Sequence, residues 1–83
     1  MDLIHAIIAD FKQRRTQLRE DALAQGINGT TGVFYEYGPY GIQAYYEPET
    51  NEFVELIADH RGGPLPGEPS VIYTIHPPKG EKW

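Results

Sequence analysis

The sequence predicts an α+β fold in which one long amphipathic helix packs across a four-stranded antiparallel β-meander. Three observations carry this expectation. The segment Gly26-Ile27-Asn28-Gly29-Thr30-Thr31-Gly32 separates two unlike halves. Before it, apolar residues recur at helical spacing. After it come short aromatic and β-branched runs broken by Gly and Pro, the pattern of strands joined by tight turns.

The helix is expected over about residues 3–25. Leu3, Ile4, Ile7, Ile8, Phe11, Leu18 and Ala22 fall on one stripe, with Arg15 at its edge. Asp2 can cap the start, because its carboxylate can accept the free amides of the first turn. Gly26 suits the left-handed position just past the end, with Ile27 as the accompanying hydrophobic contact. The flanks of the helix are sorted by sign. Lys12, Arg15 and Arg19 lie on one side of the stripe, and Asp10, Asp21 and Glu20 on the other. The basic flank reads as overhanging the acidic sheet of the same chain, with a strip for an acidic partner as the alternative.

Strands are expected over about residues 33–37, 42–47, 52–58 and 71–76, with turns at Gly38-Pro39-Tyr40-Gly41 and Pro48-Glu49-Thr50-Asn51. Short connections make the first three a meander. Apolar residues occupy both faces of several strands, which leaves the register open. One consistent choice puts Ile42, Ala44 and Tyr46 under the helix and leaves Gln43 and Tyr45 outside. Residues 59–70 form a Gly- and Pro-rich connection long enough to serve as a binding loop. Pro77-Pro78-Lys79-Gly80-Glu81-Lys82-Trp83 cannot continue a central strand, and Trp83 is expected to fold back onto the body, with a free, exposed anchor as the alternative.

With 83 residues the chain is read as one domain spanning 1–83. It has no cysteine, so packing alone must hold it, with self-association as a possible aid. The opening residues do not read as a secretory signal, and no run is long enough for a membrane span, which points to a cytoplasmic location and no membrane partner. Net charge is −5. Residues 1–31 balance four basic groups against four acids, and residues 32–83 set three against eight. Such a sheet half disfavours direct nucleic-acid binding and favours a protein partner with a basic surface.

Catalytic parts are missing. Ser70 is the only serine and has no nucleophile elbow around it. The glycines of residues 26–32 follow a helix and lead into a strand, the reverse of a phosphate loop. His5, His60 and His76 show no metal-ligand spacing, so neither metal nor cofactor is expected. Asp59-His60-Arg61 is the one compact acid–base–cation triplet, at the mouth of the long connection.

The enriched residue is tyrosine: Tyr35, Tyr37, Tyr40, Tyr45, Tyr46 and Tyr73. Tyrosine suits interfaces, having large area, few rotatable bonds and a polar tip. One helix covers one face of a sheet, so the other face is expected to be offered to a partner. The expected binding residues are Tyr35, Glu36, Tyr37 and Tyr45, with Asp59, His60 and Arg61. The function that follows is a small acidic, non-catalytic binding protein that blocks a partner's surface, of the inhibitor, immunity or phage-antagonist type and of possible viral origin. The alternatives are an assembly subunit forming a homo-oligomer, such as a homodimer, and a small enzyme or ligand-binding domain using the 59–61 triplet.

Overall fold

The computed structural model describes residues 2–25, 31–60 and 72–83. One helix, α1 (Leu3–Ala24), precedes four strands: β1 (Thr31–Tyr37), β2 (Tyr40–Glu47), β3 (Glu52–His60) and β4 (Ile72–Ile75). The strands form one antiparallel sheet in the order β1-β2-β3-β4. The α+β expectation therefore holds, with strand ends moved by a few residues. Gly26, Ile27 and the connection from Arg61 to Ser70 lie outside the described residues.

Local chemistry explains the elements. The Asp2 carboxylate accepts the His5 amide at 2.8 Å, so the helix starts on the expected cap. Ile7, Phe11, Leu18 and Ala22 are buried, and Leu3, Ile4 and Ile8 pack half-buried against them. The first hairpin turns through Gly38-Pro39, with Gly38 at φ +56°, a conformation that glycine adopts without steric cost. Tyr40 and Gly41 thus belong to β2 rather than to the turn. The second hairpin closes through Asn51 at φ 59°, the non-glycine type best suited to that region. The Tyr46 hydroxyl bonds to the Asn51 side chain, tying the turn to the core.

Register decides the faces. Tyr37 pairs with Tyr40, Tyr35 with Ile42 and Val33 with Ala44. Ile42 pairs onward with Ala58, and Ala44 with Leu56, which meets Ile75. These residues point toward α1, and the buried ones among them form the core with Tyr46 and Phe53. The placement of Ile42, Ala44 and Tyr46 beneath the helix holds. A bulge at Tyr45/Tyr46 gives β3 one extra residue there, Val54.

The helix rests over β1 and β2. The space over β3 is filled by the segment that follows β4. Trp83 is buried there, its ring centroid 5.1 Å from that of Phe11, and Phe11 meets Phe53 edge-on at 5.1 Å. The Phe53 amide donates to the Trp83 carbonyl at 2.8 Å, so the segment also continues the backbone bonding of β3. Lys12 pairs with Glu81, and Lys82 with Glu52 at 3.3 Å. Trp83 therefore packs onto the body as expected, and Lys12 of the basic flank serves this internal contact.

Two carboxylates at these anchors sit below their ordinary pKa. The His5 amide holds Asp2 down, and a hydrogen bond to Lys12 holds Glu81 down. A carboxylate depressed in the folded state adds stability above its unfolded pKa and loses it as pH falls through the folded value. Stability is expected to drop as pH falls below the ordinary glutamate value of 4.5. Glu81→Gln should flatten part of that drop, which urea midpoints measured at about pH 6 and about pH 3 would register.

Candidate functional site

The face of the sheet away from α1 is built by the residues that alternate with the core set. Three cross-strand rows define it. Phe34, Gln43, Ile57 and Thr74 lie side by side across all strands. Gly32, Tyr45 and Glu55 form a second row, and His76 joins it through a 3.0 Å contact from its Nε2 to the Glu55 carboxylate. Glu36, Gly41, Asp59 and Ile72 form the third. The central row sets the apolar Phe34 and Ile57 beside the polar Gln43 and Thr74, and the acids lie in the two outer rows.

This face keeps large apolar surface in solvent. Phe34 is 56% exposed, Ile72 58% and Val54 37%. Tyr45 and Ile57 are half-buried. Tyr45 owes its position to Gly32. A Cβ at residue 32 would come 2.6 Å from the Gln43 side-chain oxygen and 3.2 Å from the Tyr45 ring. The missing side chain lets both groups settle over the backbone of β1, which holds an aromatic ring in place before any partner arrives.

The expected site residues divide. Tyr45 and Glu36 stand on the open face, as read from the sequence; Asp59 stands there too, but as part of β3 and not of the 59–70 connection expected to hold it. Tyr35 and Tyr37 do not, and this is a correction. Tyr35 is only 8% exposed and lies among the core residues, while Tyr37 packs half-buried against them. The cause is the tight Gly38-Pro39 hairpin, which pairs Tyr35 with Ile42 and so puts both on one side. Phe34, which alternates with Val33 and Tyr35, takes the outward position that sequence reasoning gave to the tyrosines. Composition carried no signal for it, because both alternating sets of β1 are apolar or aromatic.

The compact triplet is also undone. Asp59 and His60 are consecutive in β3 and face opposite sides of the sheet. His60 stacks edge-on with Tyr40, ring centroids 5.7 Å apart, on the helix side. Arg61 lies outside the described residues. Among the described residues no three histidine or acidic groups gather in a way that could hold a metal ion. Nor is any helix of the described residues long and apolar enough to cross a membrane.

Tyr35 carries a different lesson. Burial pushes its hydroxyl pKa well above the ordinary value, with the Asp10 carboxylate adding to the effect. The hydroxyl has no hydrogen-bond partner among the described residues. The Arg14 guanidinium lies 5.2 Å from the ring centroid and bonds Asp10 at 2.9 Å. A buried hydroxyl without a partner costs stability that a plain ring does not. Tyr35→Phe is expected to hold or raise stability, by up to about 1 kcal/mol, whereas Tyr35→Ala should lose about 3 kcal/mol. Chemical denaturation of the two variants checks both signs.

Comparison with protein-family models, with curated proteins and with solved structures yields no match for this chain.

Proposed function

We propose that the chain works as a small acidic binding protein that docks the open face of its sheet onto a partner protein and blocks that surface. The contact on the partner would be apolar at its centre and basic at its rim. The observation that carries this reading is a sheet face that no described element covers, with Phe34 and Ile57 in its middle row, Tyr45 and Glu55 in the row on one side and Glu36 and Asp59 in the row on the other. An apolar centre inside a polar rim is the usual anatomy of a protein interface. Acidic ends would steer a basic partner and fix its orientation. The segment ending at Trp83 lies on the other side of the sheet, against Phe11, and leaves this face open.

An enzymatic reading finds less support. Asp59 and His60 diverge, and a groove beside Ala6, Ala9, Asp10, Gln13 and Tyr37 is shallow, with a volume of about 280 Å³. That volume sits at the bottom of the range for small-molecule pockets.

The test is quantitative capture with the tagged chain and two variants. Ile57→Asp places a charge in the middle of the open face, and Thr16→Ala alters an exposed position of the helix. An interactor held by the wild type and by Thr16→Ala but lost with Ile57→Asp upholds the reading. If every interactor binds the three proteins equally, the open face is not the docking surface.

A further inference from the structure

We propose that β1 is also an assembly edge, pairing antiparallel with β1 of a second copy about a two-fold axis at Phe34. β1 is an outer strand in the order β1-β2-β3-β4. The Gly38-Pro39 hairpin sets which way its backbone points. Tyr37 flanks a two-residue connection, so Tyr37, Tyr35 and Val33 bond β2, and Phe34 and Gly32 aim their amides and carbonyls outward.

Outer strands carry protection against such pairing: lysine, proline, a bulge or short length. The other outer strand, β4, has only 4 residues and runs into Pro77-Pro78. β1 has 7 residues, Thr-Gly-Val-Phe-Tyr-Glu-Tyr, with neither lysine nor proline. The bulge of the sheet falls between β2 and β3 and leaves β1 regular.

The occupant is a second copy because the strand is complementary to itself. Pairing about Phe34 sets Phe34 against Phe34, Val33 against Tyr35 and Gly32 against Glu36. The one charged residue of the strand thereby meets a glycine, so two chains of net charge −5 come together without opposing acids at the seam. The helices fit the same operation. α1 rests over β1 and β2, so the two-fold places the helices of both copies beside each other on one side of the joined sheet. The flanks that meet carry Ala6, Ala9 and Gln13, with Asp10 already paired to Arg14 at 2.9 Å. Both open faces would lie on one side of a continuous sheet, with the Phe34 pair at its centre.

Light scattering across a concentration series, with two cysteine variants of the full chain, tests this. The chain has no cysteine, so each new thiol stands alone. The pair at Phe34 would exchange hydrogen bonds, with Cα atoms about 5.5 Å apart, inside the range a disulfide spans. Ile72→Cys is the control, since Ile72 is 58% exposed against 56% for Phe34 and sits on the opposite outer strand. The expected result is a dimer mass, cross-linking of Phe34→Cys more than about tenfold faster than Ile72→Cys, and a monomer for Phe34→Lys with an unchanged far-UV spectrum. A monomer mass at every concentration up to about 1 mM overturns the proposal. So does a dimer in which position 34 cross-links no faster than position 72, or an edge protected from hydrogen exchange only by a different protein.

Discussion

Trp83→Ala is expected to cost about 3–5 kcal/mol of stability, the usual loss for a large aromatic removed from a core. Trp83 is 2% exposed and closes the space between α1 and β3 that the helix leaves uncovered. Its removal exposes one side of Phe11 and Phe53, both otherwise fully buried. It also loosens the backbone bond from the Phe53 amide, because the exposed ion pairs Lys82–Glu52 and Lys12–Glu81 hold the segment far more weakly than the buried ring does. A chain of 83 residues has a total stability of only about 4–12 kcal/mol. The variant should therefore melt more than about 12 °C lower, followed by far-UV circular dichroism because the only tryptophan is gone. Lys12→Ala, which removes only the exposed pair to Glu81, should cost less than about 1 kcal/mol. Equal melting of Trp83→Ala and wild type would show that the segment is not part of the folded body.

Tyr45→Ala is expected to weaken binding of an open-face partner by about 30-fold or more, the effect of losing one aromatic anchor near the middle of an interface. Tyr45 is half-buried with its ring beside Gly32, so little ordering remains to be done on contact. Stability should change far less, because the ring lies outside the core cluster. Asp59→Lys, at the acidic end, should act differently: slower association and a weaker dependence on salt, with a smaller change in the dissociation rate. Calorimetry and surface binding kinetics with the captured partner separate the two. Affinity unchanged within about twofold for Tyr45→Ala, with the fold intact, would move the contact elsewhere on the molecule.

Much of this architecture could be read from residues close in sequence. Asp2 and the Leu3–Ala22 stripe announce a helix and its start, and the cap forms with the His5 amide. Gly38-Pro39 and Pro48–Asn51 announce hairpins, and both form. Half of β2 could be placed as well, since Ile42, Ala44 and Tyr46 are more apolar than Gln43. β1 could not, because Val33, Phe34, Tyr35 and Tyr37 are apolar or aromatic whichever way they point. Treating residues 38–41 as the whole turn left its pairing unset, and tyrosine's fondness for interfaces then placed Tyr35 and Tyr37 outside. A turn of two residues instead of four fixes Tyr37 against Tyr40, and every side chain of β1 follows.

What the sequence determined alone was local: element type, approximate ends, antiparallel neighbours and the sign of the charge on the sheet. These depend on backbone preference and on spacing within a few residues. Only the tertiary structure decided which side of β1 is buried, that Trp83 rather than α1 closes the core over β3, and that Phe34 stands where Tyr35 was expected. Those outcomes turn on contacts between residues far apart in the chain. A side chain's face is set by the strand across from it, and a shift of one position reverses every one of them.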